Sequence, residues 1–111
     1  MEHLELYIDG TFVPSRSGRT YQTLDPFVGQ PWAQVADSTA EDVDRAVSAA
    51  RTALSGPWGA LTAPDRADLL RRLAELIADD AERLAEIEVR DGGKLLREMS
   101  GQAKGLQLLS L

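Results

Sequence analysis

A change of pattern near residue 38 is the feature that most constrains the fold of this chain. Residues 4 to 37 are short extended stretches interrupted by turn formers, whereas residues 40 to 111 carry apolar side chains at helical spacing. The boundary sequence Ser38-Thr39-Ala40-Glu41 is interpreted as a capping box, in which a hydroxyl accepts from the first helical turn and the glutamate reaches back. We therefore predict one α+β unit over residues 1–111, with strands first and about four helices after them.

The clearest local signal in the first part is the Asp9-Gly10 pair. Between two short β-prone stretches such a pair favours a tight hairpin turn, because glycine adopts positive φ at little cost. We predict a β-hairpin over residues 4–14, a second extended segment at residues 21–24, and a further short strand at residues 32–35.

The four predicted helices are bounded by ordinary start and stop signals. The first spans about residues 40–54 before Gly56-Pro57, and the second runs from Thr62 to about residue 79. The third is capped by Asp79 or Asp80 and is ended by Gly92-Gly93, and the fourth begins at about Lys94. Apolar stripes support them, namely Val43, Ala46, Val47, Ala50 and Leu54; Leu69, Leu70, Leu73 and Ile77; Ala81, Leu84 and Ile87; and Leu95, Leu96, Met99, Ala103, Leu106 and Leu109.

Composition excludes several classes of function. The chain has no cysteine, so it offers no disulfide, thiolate metal site or thiol nucleophile. A net charge of -6, with 18 acidic and 12 basic residues, argues against nucleic acid as a partner. The start lacks the pattern of a signal peptide, and no apolar run reaches the roughly 18 residues of a membrane span. We expect no membrane association and a cytoplasmic location.

Six sequence pieces, in order, resemble the amino-terminal part of aldehyde dehydrogenases. The resemblance covers residues 4 to about 100 and corresponds to only the first part of a much longer family chain. It differs from the common family pattern at Leu95, where proline is usual, and at Asp25-Pro26, where Asn-Pro is frequent. The six pieces are Leu6-Tyr7-Ile8-Asp9-Gly10-Thr11-Phe12-Val13; Thr23-Leu24-Asp25-Pro26-Phe27-Val28-Gly29; Ala40-Glu41-Asp42-Val43-Asp44-Arg45-Ala46-Val47; Gly56-Pro57-Trp58; Arg66 with residues 69–77; and Glu88, Asp91-Gly92-Gly93-Lys94 and Glu98.

The resemblance implies a segment of the α/β aldehyde dehydrogenase fold and a parent enzyme that uses NAD or NADP. Such enzymes oxidise an aldehyde to a carboxylic acid through a cysteine thiohemiacetal, with a glutamate assisting hydrolysis and an asparagine stabilising the oxyanion. This chain contains neither cysteine nor asparagine. We therefore expect no catalytic residue and no cofactor-binding residue here, no NAD or NADP bound by this chain alone, and no activity of the chain by itself.

The resemblance also implies a monovalent cation site. Family members can bind sodium or potassium through main-chain oxygens near the Asn-Pro turn and through the aspartate of the Gly-Lys segment, which correspond here to Thr23, Leu24 and Asp91. Oxygen ligands suit a hard cation. Asp91 could equally be a helix-terminal residue that bonds nearby backbone.

Other conspicuous residues have structural interpretations. Asp91-Gly92-Gly93-Lys94 is a helix-breaking turn, because a Walker phosphate loop would need glycine at position 88 and serine or threonine at position 95. His3 is interpreted as a solvated residue and Trp58 as a packing anchor. The acidic group of Glu86, Glu88 and Asp91 is interpreted as a solvated helix face.

Two functions stay open at this point. The chain is the truncated amino-terminal part of an NAD(P)-dependent aldehyde dehydrogenase, with the remainder of the enzyme or the subunits of a homo-oligomer as partners. Alternatively it is a stand-alone helical interaction module whose last helix docks on a larger dehydrogenase subunit or another partner. A small independent enzyme is not supported, because no convergent set of base and nucleophile is present.

Overall fold

The computed structural model describes residues 1–95 and residue 98. It divides into two compact units, one made of Met1–Leu24 and Gln30–Ala60 and the other of Asp25–Gly29 and the described residues that follow Ala60. Strands dominate the beginning of the first unit and helices dominate the second, so the predicted α+β class is confirmed.

Five short strands open the chain. They are β1 (Glu2–Leu4), β2 (Leu6–Ile8), β3 (Thr11–Val13), β4 (Thr20–Asp25) and β5 (Gln30–Ala36). One sheet has the order β1-β5-β4, and β1 runs parallel to β5 with Glu2 opposite Ala33. A separate antiparallel pair, β2 and β3, has Leu6 opposite Val13. The extended segments predicted at residues 21–24 and 32–35 are confirmed as parts of β4 and β5.

The predicted hairpin forms around Asp9-Gly10. Both turn residues have positive φ, 54° at Asp9 and 78° at Gly10, as the two central residues of a type I′ turn require. The hairpin was predicted over residues 4–14, but its first strand begins at Leu6, because the chain leaves β1 after Leu4 and starts β2 at Leu6. This break allows residues 2–4 to pair with β5, a partner about 30 residues away that local pattern does not specify.

Two helices complete the first unit. Helix α1 (Ala40–Ser55) contacts β2 and the short helix α2 (Pro57–Ala60). The buried apolar residues of this unit lie on β2 and β5 and are Ile8, Trp32, Ala33 and Ala36. Trp58, the expected packing anchor, lies in α2 and is half-buried.

The capping box of α1 is one residue later than predicted. Thr39, not Ser38, is the N-cap, and Asp42, not Glu41, is its partner. Thr39 has extended backbone dihedrals suited to an N-cap, its hydroxyl accepts from the Asp42 N–H at 3.3 Å, and the Asp42 carboxylate accepts from the Thr39 N–H at 2.9 Å. The pairs Ser38 with Glu41 and Thr39 with Asp42 both have the spacing of a capping box. The contacts that Ser15 and Arg16 make with Asp42 favour the pair of Thr39 and Asp42.

The second unit contains α3 (Ala63–Asp79) and α4 (Ala81–Gly92), which contact each other. Thr62 caps α3 as predicted, and its hydroxyl accepts from the Asp65 N–H. Asp80 occupies the N-cap position of α4 but makes no side-chain cap bond. Its carboxylate instead pairs with the Arg83 guanidinium, a hydrogen bond that lowers the pKa of Asp80.

Helix α4 ends at the predicted glycine pair. Gly92 is its last residue, and Gly93 is the C-cap in the left-handed conformation, with its N–H donating to the Val89 carbonyl at 2.8 Å. Apart from Lys94, Leu95 and Glu98, the predicted fourth helix lies outside the described residues. Within residues 1–95 and 98, no helix is long and apolar enough to cross a membrane.

Candidate functional site

The three predicted cation ligands occupy two different elements. Thr23 and Leu24 lie on β4 in the first unit, and Asp91 lies in the last turn of α4 in the second unit. Among residues 1–95 and 98, no three acidic, histidine or cysteine side chains are grouped closely enough to hold a metal ion. The cation site, which relies on main-chain oxygens, stays a prediction.

The Asp25-Pro26 turn is held by the aspartate side chain. Asp25 Oδ1 accepts from the Phe27 N–H at 2.9 Å and more weakly from the Val28 N–H at 3.4 Å, while the Asp25 carbonyl accepts from the Gly29 N–H at 2.7 Å. An asparagine oxygen could make the same side-chain bonds. The difference between this chain and the frequent Asn-Pro pattern therefore preserves the turn.

The C-terminal end of α4 packs closely against this turn. A Cβ atom added at Gly93 would lie 2.9 Å from Cγ of Pro26, a distance that requires one of the two to move. Gly93 also has a φ of 68°, which disfavours any residue with a side chain. The sequence predicted the helix stop at Gly93 but not its contact with Pro26.

The most extensive polar cluster of the first unit surrounds Asp42, which the sequence analysis did not select. The side chain of Asp42 is 1% exposed and lies in the first turn of α1. It accepts from the Thr39 N–H and hydroxyl, both at 2.9 Å, and from the Ser15 hydroxyl at 2.9 Å. The Arg16 N–H donates to it at 3.1 Å, and the Arg45 guanidinium is 3.4 Å away.

These donors stabilise the charged form of the carboxylate. The Thr39 backbone N–H is the main cause, and the hydroxyls of Thr39 and Ser15 and the Arg16 N–H act in the same direction, against the opposing effect of burial. Together they lower the pKa of Asp42 from 3.8 to about 2. A carboxylate so acidic and so fully hydrogen-bonded is not a general base near neutral pH.

The cluster joins the β3–β4 loop to the start of α1. The Ser15 hydroxyl is also 2.6 Å from the Asp37 carbonyl, and the Asp37 N–H donates to the Arg19 carbonyl at 2.9 Å. Two exposed ion pairs, Arg16 with Glu41 and Arg19 with Asp37, lie at the edge of the cluster. The only sequence signal for this cluster was the hydroxyl-x-x-carboxylate spacing of residues 39 and 42.

A shallow groove of about 390 Å³ lies between the β2–β3 hairpin and α1. Its lining mixes apolar, hydroxyl and charged side chains, but it contains no histidine, cysteine or lysine. Arg45, its one cation, is paired with Asp42. The lining residues are Ile8, Asp9, Thr11, Val13, Arg45, Ser48, Ala49 and Thr52.

The remaining residues singled out in the sequence lie at exposed positions or at a helix end. His3 is exposed on β1, and Glu86, Glu88 and Asp91 are exposed on α4. Gly92 and Gly93 form a helix end and not a phosphate loop. The described residues thus provide structural clusters and turns.

The fold of this chain, short strands followed by helices, is similar to part of aldehyde dehydrogenases of known structure. The chain matches an NAD+ complex of an aldehyde dehydrogenase from Bacillus cereus with a TM-score of 0.89 and 35% identity, over 98% of this chain and 23% of that one. An NAD-dependent aldehyde dehydrogenase from Sinorhizobium meliloti matches with a TM-score of 0.90 and 29% identity, over 98% and 23%.

Sequence comparison gives the same family. The family model described as the aldehyde dehydrogenase family matches residues 12–109. Aldehyde dehydrogenase family 2 member B4, mitochondrial, of Arabidopsis thaliana is 47% identical over 95 residues, 85% of this chain and 18% of the relative. An aldehyde dehydrogenase of Aspergillus niger is 42% identical over 102 residues, 92% of this chain and 20% of the relative. The chain belongs to the aldehyde dehydrogenase family.

The extent of these matches has two consequences. The chain spans about a fifth of the length of the curated relatives that it matches. The family match reaches residue 109, so the expectation that the resemblance ends at about residue 100 was wrong.

Proposed function

We propose that this chain is the amino-terminal structural part of an NAD(P)-dependent aldehyde dehydrogenase, and that the intact enzyme oxidises an aldehyde to a carboxylic acid. The observation that carries the proposal is the continuous match of fold and sequence over nearly the whole chain to enzymes of this class. The choice between NAD and NADP and the identity of the aldehyde belong to residues outside this chain.

The chemistry of the described residues supports a structural role for this chain, with the catalytic groups located elsewhere in the enzyme. The chain supplies no thiol, and its best-defined carboxylate, Asp42, is fully engaged in joining a loop to a helix. The nucleophile, the oxyanion donors and the cofactor contacts are therefore supplied by other residues of the enzyme. The role of this chain is to form and orient part of the scaffold that surrounds them.

The alternative of a stand-alone docking module is not favoured. The curated relatives that contain this segment carry it as about a fifth of one continuous polypeptide. A segment that is covalently part of an enzyme in its relatives is more simply explained as part of the enzyme here. The remainder of the enzyme or other subunits of an oligomer are then its partners. The cytoplasmic location stays a prediction, and one of these relatives is named as mitochondrial.

A chimera tests the proposal. Residues 12–109 would replace the matching segment of the Bacillus cereus enzyme, and NADH formation from an aldehyde would be followed by absorbance. We expect an active chimera, while the 111-residue chain alone forms no NADH or NADPH. The Bacillus enzyme without the segment is the control and should be inactive. A soluble, folded chimera with no activity would contradict the proposal.

The cation site at Thr23, Leu24 and Asp91 is also a proposal, supported by the family membership and by the oxygen chemistry of its ligands. The same chimera tests it: potassium should raise the unfolding temperature relative to a bulky organic cation, and Asp91→Asn should weaken this effect. An identical response of both proteins to potassium would count against the site.

A further inference from the structure

We draw no further inference here: the strongest candidate, the groove of about 390 Å³ between the β2–β3 hairpin and α1, has its Arg45 side chain already paired with Asp42, and nothing in the described residues shows what would occupy it.

Discussion

At the scale of single residues, Asp42 has the largest pKa shift among the described residues. Its folded-state pKa of about 2 lies below its ordinary value of 3.8, so its charged form is favoured by folding. A depressed carboxyl pKa gives stability that is complete above the unfolded-state pKa and is lost as the pH falls through the folded-state value. The relevant window is therefore from 3.8 down to about 2.

Asp42→Asn should lower the free energy of unfolding at pH 7. The amide keeps one acceptor oxygen but points its NH2 group at N–H and hydroxyl donors that now converge on the carboxylate. The difference between the two proteins should shrink as the pH falls below 3.8 toward about 2. Urea unfolding followed by circular dichroism at a series of pH values measures both effects.

Asp44→Asn is the matched control for that prediction. Asp44 is exposed on the same helix, two residues from Asp42. A substitution at such a surface position usually changes stability by no more than about 0.5 kcal/mol. A difference between wild type and Asp42→Asn that stays constant from neutral pH to pH 2 would show that the charge of Asp42 does not contribute as argued.

At the scale of elements, the end of α4 assigns different roles to two adjacent glycines. Gly92→Ala should stabilise the chain by about 0.5–1 kcal/mol, because alanine is the better helix former and a Cβ there meets nothing within 4 Å. Gly93→Ala should destabilise it by about 1–2 kcal/mol from the left-handed conformation alone, with a further cost from the contact with Pro26.

The two glycine variants are controls for each other, since composition and position are nearly the same. Thermal unfolding by circular dichroism would measure the sign of each change. If both substitutions stabilised the chain, the left-handed cap at Gly93 and its approach to Pro26 would not exist in solution.

Turns and helix caps could be predicted from the sequence because the residues that stabilise them lie within a few positions of one another in the chain. Asp9-Gly10 and Thr62 give a hairpin turn and a helix cap through bonds within a few residues. The capping box of α1 was misplaced because its choice depends on Ser15 and Arg16, more than 20 residues away, and the pairing of β1 with β5 was missed for the same reason. The Asp42 cluster could not be recognised without knowing that these segments meet.

Helical periodicity identified the apolar stripes but not what covers them. Val43, Val47 and Leu54 on α1 and the leucines of α3 have the spacing of core residues, yet they are exposed; those leucines are Leu69, Leu70, Leu73 and Leu76. The buried positions are mainly alanines, such as Ala74, Ala81 and Ala85, which sequence hydrophobicity ranks below leucine and valine. An apolar stripe therefore predicts an interface, and only the structure shows whether its partner lies within the same chain.

At the scale of the whole molecule, these uncovered stripes should govern the behaviour of the isolated chain. We expect the 111-residue chain to be helical by circular dichroism, to bind a hydrophobic dye, and to associate as its concentration rises, as measured by size-exclusion chromatography with light scattering. The double variant Leu69→Lys, Leu73→Lys should reduce both dye binding and association and retain the helical signal, because lysine is a good helix former.

The same double variant should have the opposite consequence in the Bacillus chimera. If the remaining enzyme covers positions 69 and 73, the two lysines would be buried there without partners, and the chimera should lose assembly and activity. The matched variant Arg71→Lys, Arg72→Lys keeps the charges of the exposed face and should leave the chimera active. Reduced association and dye binding of the isolated chain, combined with loss of assembly and activity in the chimera, would indicate that positions 69 and 73 contact another part of the enzyme. A wild-type chain that is monomeric at all concentrations and binds no dye would instead show that α3 needs no partner.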